Sequence, residues 1–118
     1  MGKRFKVACL QLNSGQSVKK NLNQTLKFLK RAVKLNAKLI LTPEITNIVS
    51  SNREHLLKET YSEKNDPCLN MAKEFAENNS VWIILGSIIV KDNNKRLFNR
   101  SYLINNKGII ISKYDKIH

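Results

Sequence analysis

A chain of 118 residues, 42% of them apolar, can bury the core of one modest domain and is too short for two. The formal net charge of +12 is compatible with nucleic-acid binding, but the lysines are spread along the chain without interleaved aromatic residues, so a basic nucleic-acid-binding module is the weakest function considered. No run approaches the roughly 20 apolar residues of a membrane helix and no secretory signal is recognisable, so the sequence predicts a cytoplasmic protein with no nucleic-acid and no membrane partner.

The first part of the chain predicts a strand, a helix and a second strand. Residues 5–12 alternate in a strand-like way, and apolar residues at three- to four-residue spacing predict a helix over 17–35 with Ser17 as its N-cap. Residues 39–41 form a continuous apolar run, which is typical of a strand buried on both faces. This βαβ pattern predicts two parallel strands in one sheet.

The second part predicts a further helix and three strands. Residues 46–65 are polar, with only a short helix indicated near 53–58, whereas Asp66 and Pro67 form a strong start signal for a helix reaching about residue 79. Strands are predicted at 81–90, 96–105 and 108–114. The order of elements indicates an α/β fold with a mixed sheet.

Two charged side chains follow predicted buried strands. Glu44 follows the second strand, at the carboxyl edge where open α/β sheets bind ligands, and a carboxylate there can act as a general base; a solvated loop glutamate fits the position equally well. Lys116 follows the last strand, where Ile110, Ser112, Tyr114 and Lys116 would project to one side, although a lysine reaching into solvent is the simpler interpretation. Together, the pair could bring a base and an oxyanion-stabilising charge to one pocket.

The two cysteines, Cys9 and Cys68, have no metal-ligand spacing, and the sequence predicts neither a metal nor a cofactor. Cys9 lies in the predicted first strand, so we expect it to pack as a small hydrophobe with a raised pKa. Cys68 lies at the start of a predicted helix, whose dipole favours a thiolate, so we expect it to be the more reactive thiol. Nothing places either cysteine beside Glu44 or Lys116.

Several segments together resemble the carbon–nitrogen hydrolases, or nitrilase superfamily. They occur in the family's order: VACLQLN, Asn21 in the first helix, NAKLILTPE, IILGSIIV, LFNRSYLINNKG and KYDKIH. The family usually has leucine where this chain has Thr42. The sequence looks most like the amidase branch related to ω-amidases and to enzymes that hydrolyse deaminated glutathione. The resemblance implies the N-terminal half of a four-layer α-β-β-α sandwich.

The resemblance also implies hydrolysis of a non-peptide carbon–nitrogen bond in a small linear amide by a Glu-Lys-Cys mechanism. Glu44 matches the general base and Lys116 the oxyanion-stabilising lysine, while His118 matches a histidine that we expect to be packed or hydrogen-bonded beside the site. In the family, a second glutamate and the nucleophilic cysteine follow this lysine.

We therefore expect residues 1–118 to be a truncated carbon–nitrogen hydrolase domain without its nucleophile, inactive alone and a homo-oligomer in its full-length form. A non-catalytic binding member of the same fold is the alternative.

Overall fold

The structure, a computed structural model, describes residues 6–9, 15, 17–43, 47–48 and 50–116. Within these ranges the helices are α1 (Val18–Lys34), α2 (Arg53–Glu59) and α3 (Pro67–Asn79), with a 3₁₀ turn at Glu63–Asn65. The strands are β1 (Lys6–Cys9), β2 (Ala37–Leu41), β3 (Trp82–Lys91), β4 (Leu97–Ile104) and β5 (Ile110–Asp115). The predicted order of helices and strands is confirmed.

All five strands belong to one mixed sheet in the order β1-β2-β3-β4-β5. β1, β2 and β3 are parallel neighbours, whereas β4 and β5 are added antiparallel. The predicted βαβ unit is therefore confirmed, and the carboxyl ends of the first three strands lie along one edge of the sheet.

The two longest helices begin at the predicted capping residues. The Ser17 hydroxyl accepts a hydrogen bond from the Lys20 amide at 3.2 Å, and the Asp66 carboxylate accepts one from the Leu69 amide at 2.8 Å. Pro67 occupies the first turn of α3, where a missing N–H costs nothing. No helix in the described ranges is both long and apolar enough to cross a membrane.

Both long helices pack on the same face of the sheet, which we call the helix face. Apolar side chains of α1 and α3 join those of alternate β3 and β4 residues in one buried cluster. The largest fully buried members include Leu29, Leu69, Ile83, Leu85 and Ile104. One helix layer and one sheet layer are therefore present, as the predicted α/β fold requires.

The opposite face, which we call the bare face, is not covered by the described helices. Strand register places Val7, Leu39, Trp82, Ile84 and Leu103 together there. Val7 is 50% exposed and Trp82 is 38% exposed. An apolar surface of this kind is what a sandwich would bury against a second sheet.

The register of β5 corrects one sequence expectation. Ile104 pairs with Ile110 but Leu103 pairs with Ser112, so one extra residue is accommodated between the two pairs. Because this bulge reverses the alternation, Ile110 faces the helices whereas Ser112 and Tyr114 lie on the bare face. The expectation that Ile110 shares a side with Ser112 and Tyr114 is wrong.

Candidate active site

The segment after β2 makes close backbone contact with β3. The Thr42 amide donates to the Ile84 carbonyl at 2.9 Å, and the Gly86 amide donates to the Thr42 hydroxyl at 3.1 Å. A Cβ on Gly86 would lie 2.3 Å from the Thr42 carbonyl oxygen and 2.5 Å from that of Pro43. Glycine is therefore required at position 86. The Thr42 hydroxyl accepts a hydrogen bond from the Gly86 amide, which the leucine usual in the family could not do.

The β3–β4 ladder is irregular beside this contact. Leu85 pairs with Tyr102 and Ile88 pairs with Arg100, so two β3 residues, Gly86 and Ser87, oppose a single β4 residue. Such a bulge bends the strand locally. The Gly86 amide lies on the same side of β3 as the Ile84 carbonyl and is bonded to the Thr42 hydroxyl.

Asn47 attaches the same segment to β3 a second time. Its side-chain amide donates to the Ile89 carbonyl at 2.8 Å and to the Asp66 carboxylate at 3.2 Å, and its side-chain oxygen accepts from the Ile89 amide at 2.9 Å. Asn47 is 2% exposed and Asp66 is fully buried. Asn47 was not predicted from the sequence, since an asparagine in a polar stretch carries no sign of burial.

Asn21 connects this network to the loop after β1. Its side-chain amide donates to the Asn47 carbonyl at 3.0 Å and to the Gly15 carbonyl at 2.7 Å, and its side-chain oxygen accepts from the Gly15 amide at 2.9 Å. The loops that follow the first two strands are therefore joined by one buried side chain.

Lys116 extends the ladder by one residue beyond β5. Its amide donates to the Asn99 carbonyl at 2.7 Å, and the residue is partly buried. The preceding residue, Asp115, is held by a two-point ion pair with Arg100, whose hydrogen bond keeps the pKa of the Asp115 carboxyl below its usual range. The backbone that carries Lys116 is thus fixed on β4.

Asn47 and Lys116 lie at one level of the sheet. Ile89 is the cross-strand partner of Asn99, so Asn47, Ile89, Asn99 and Lys116 form a continuous row. Three strand spacings of about 4.8 Å separate β2 from β5. Glu44 and His118 lie outside the described residues. The row places Lys116 at the same level of the sheet as Asn47, which follows Glu44 by three residues in the sequence.

The expected packing of Cys9 and the expected reactivity of Cys68 are wrong. Cys68 is 1% exposed, and burial together with the charge of Asp66 raises the pKa of its thiol strongly, which outweighs the helix dipole. Cys9 is exposed because β1 is an edge strand and Cys9 follows Val7 by two residues onto the bare face. In the described ranges, no group of three or more His, Cys, Asp or Glu residues is arranged to hold a metal.

Comparison with known proteins places these features in a family. The carbon-nitrogen hydrolase family model matches residues 6–118. Nitrilase homolog 2 of Dictyostelium discoideum is 33% identical over 118 residues, and the match covers 98% of this chain and 35% of that protein. The chloroplastic omega-amidase of Arabidopsis thaliana is 30% identical, with 98% and 32% covered. The deaminated glutathione amidase of Yersinia enterocolitica is 29% identical, with 98% and 41% covered.

Solved structures share the fold. The Caenorhabditis elegans NitFhit protein superposes with a TM-score of 0.84 at 21% identity, and the match covers 95% of this chain and 27% of that chain. The chain spans about a third to two fifths of the three curated relatives named above. The names of these relatives agree with the amidase branch of the nitrilase superfamily, and the match over residues 6–118 shows that this chain belongs to the carbon-nitrogen hydrolase family.

Proposed function

We propose that the protein carrying this chain hydrolyses a non-peptide carbon–nitrogen bond in a small linear amide that bears a carboxylate. Glu44 acts as the general base and Lys116 stabilises the oxyanion. The observation that supports this most is the row that joins Lys116, through Asn99 and Ile89, to the end of the segment containing Glu44. The amidase names of the relatives support the substrate class.

The proposed chemistry needs a base and a cation at one place. A thiol is mostly protonated near neutral pH, so the base takes its proton before the sulfur attacks the amide carbon. The carbonyl electrons move to oxygen, where the Lys116 ammonium stabilises the negative charge. The amine then leaves with the proton, and a water activated by Glu44 hydrolyses the thioester.

The proposed nucleophile is a cysteine outside residues 1–118. The buried Cys68 thiol has a raised pKa, which disfavours the thiolate. Cys9 lies on β1, the edge strand of the sheet, whereas Lys116 follows β5 at the other edge. Neither position suits a thiol that must reach both a base and the lysine.

Substitution of the proposed pair tests the assignment in the whole protein. Glu44→Gln and Lys116→Ala should each lower turnover by at least about 100-fold, as the loss of an oxyanion-stabilising group does. Lys113→Ala is the matched control, because Lys113 is an exposed β5 lysine whose ammonium pairs with Glu63 at 3.2 Å on the helix face. Release of ammonia or amine from deaminated glutathione and from monoamides of dicarboxylic acids is measured. Near-normal turnover in either test variant would contradict the proposal.

A second experiment tests where the nucleophile lies. Cys9→Ser and Cys68→Ser should keep hydrolysis by the whole protein within a few-fold of wild type, and the 118-residue chain alone should show none. Acyl-enzyme is trapped during turnover and mapped by mass spectrometry. A thioester on Cys9 or Cys68 would overturn the assignment.

A further inference from the structure

Asn47 has the hydrogen-bonding pattern of a missing strand residue. Its side-chain oxygen and nitrogen bond to the N–H and C=O of Ile89, the same pair of groups that a neighbouring strand would bond. β2 ends at Leu41, and the Asn47 side chain makes a further contact with β3 beyond that end.

The two residues that flank a short chain segment, Thr42 and Asn47, are therefore both bonded to β3. Thr42 is bonded to Gly86 and Asn47 to Ile89, so the segment between Thr42 and Asn47 is attached to β3 at two points three residues apart. Glu44 belongs to this segment in the sequence.

Two further buried residues hold Asn47 itself. The Asp66 carboxylate accepts from its side-chain amide and, through its other oxygen, from the Leu69 amide, which fixes the carboxylate to α3. The Asn21 side chain donates to its backbone carbonyl. A 98% buried amide with its polar atoms bonded has little freedom, because breaking any of these bonds leaves a buried polar group unsatisfied.

We propose that Asn47, held by Asp66, is a positioning residue that sets the placement of the general base relative to Lys116. This inference rests on the proposed role of Glu44. The bonds of Asn47 go to Ile89, Asp66 and Asn21, so it would act through the backbone of its segment. A residue with only a structural role would lower stability when replaced but would leave turnover per folded molecule unchanged.

An exchange of the two side chains separates these roles. Asn47→Asp keeps the acceptor for the Ile89 amide but loses both donors and sets a second carboxylate against Asp66. Asp66→Asn keeps an acceptor for the Leu69 amide but turns an amide toward Asn47. The double variant restores one donor–acceptor pair with the roles reversed. Each single variant should lower kcat by about 100-fold with little change in KM, because a catalytic group displaced by about 1 Å loses about that much rate. The double variant should have a kcat at least tenfold higher than that of Asn47→Asp.

Thr25→Val provides the matched control. Thr25 is 1% exposed, and its hydroxyl donates to the Asn21 carbonyl at 2.8 Å, so the variant loses a buried hydrogen bond beside the network without touching Asn47. It should keep kcat within about twofold.

If Glu44→Gln is inactive while both single variants keep kcat within twofold, the positioning role is wrong and the proposed function stands. If Glu44→Gln remains active, the proposed function itself fails.

Hydrogen exchange tests the same inference on the whole protein in the absence of substrate. Asn47→Ala should raise deuterium uptake by the peptide covering residues 42–48 at least tenfold in rate, whereas Thr25→Val should leave that peptide at its wild-type rate. Asn47→Asp replaces the alanine variant if the latter does not fold. Equal uptake in the Asn47 variant and in Thr25→Val would overturn the inference whatever the enzyme activity.

Discussion

Gly86 is the residue at which the fold of the site is least tolerant of change. Its missing Cβ leaves room for the backbone of Thr42 and Pro43, and backbone atoms cannot move aside as the end of a flexible side chain can. Gly15 is a useful contrast, because a Cβ there would meet nothing within 4 Å.

We therefore predict that Gly86→Ala lowers the free energy of unfolding by about 1–3 kcal/mol or more, the usual cost of overpacking. Gly15→Ala should change it by less than about 1 kcal/mol. Urea unfolding of both variants measures the difference. Equal effects at the two glycines would show that the contact between β3 and the segment after β2 is looser than the structure indicates.

At the residue scale, local position in the sequence was enough to nominate Glu44 and Lys116 as candidate site residues. Glu44 and Lys116 stand out because a charge directly after an apolar run is unusual. Asn47 could not be found in this way, since its role depends on Ile89, 42 residues further along the chain. The cysteine expectations failed because the helix dipole and strand alternation say nothing about which face is covered.

At the scale of elements, α3 begins at a carboxylate that is both an N-cap and buried. Burial raises the pKa of the Asp66 carboxyl, although hydrogen bonds from Leu69 and Asn47 oppose the shift. An unfolded Asp has a pKa of about 3.9. Because the folded pKa of Asp66 is higher, the folded state binds the proton more tightly than the unfolded state does. Stability must then fall as pH rises from about 4 through the folded pKa.

We predict that Asp66→Asn removes this pH-dependent contribution to stability. The stability of wild type relative to Asp66→Asn should be greatest near pH 3.5 and should decline toward pH 7 in urea unfolding series. Asp92→Asn is the control of opposite sign, because hydrogen bonds from Arg96 lower the pKa of the partly exposed Asp92 carboxyl. Relative to that variant, wild type should gain stability as pH rises. A stability difference between wild type and Asp66→Asn that grows with pH would contradict the raised pKa of Asp66.

Element boundaries were predictable where local chemistry sets them. Ser17, and Asp66 with Pro67, mark helix starts because their side chains or ring satisfy the first turn. The bulges in β3 and β5 were not predictable, since each depends on the register of a neighbouring strand. The β5 bulge decides which face Ser112 and Tyr114 occupy, and alternation along one strand could not give that answer.

At the scale of the whole molecule, the two faces of the sheet differ in what covers them. The sequence predicted the α/β class and the mixed sheet because the order of apolar runs and amphipathic helices limits the possible topologies. It could not define the bare face, which depends on the register of five strands. Contiguous exposed apolar side chains of this kind favour association with another surface.

The bare face should govern how the isolated 118-residue polypeptide behaves in solution. Because Val7, Trp82 and Tyr114 are 50%, 38% and 64% exposed, the polypeptide should self-associate in a concentration-dependent way. Trp82→Lys should shift sedimentation equilibrium toward monomer, since a charge at this position must be desolvated on association. Leu35→Lys is the control, because Leu35 is 67% exposed but lies in the turn between α1 and β2. A wild-type polypeptide that is monodisperse, monomeric and cooperatively folded would show that the bare face does not drive association.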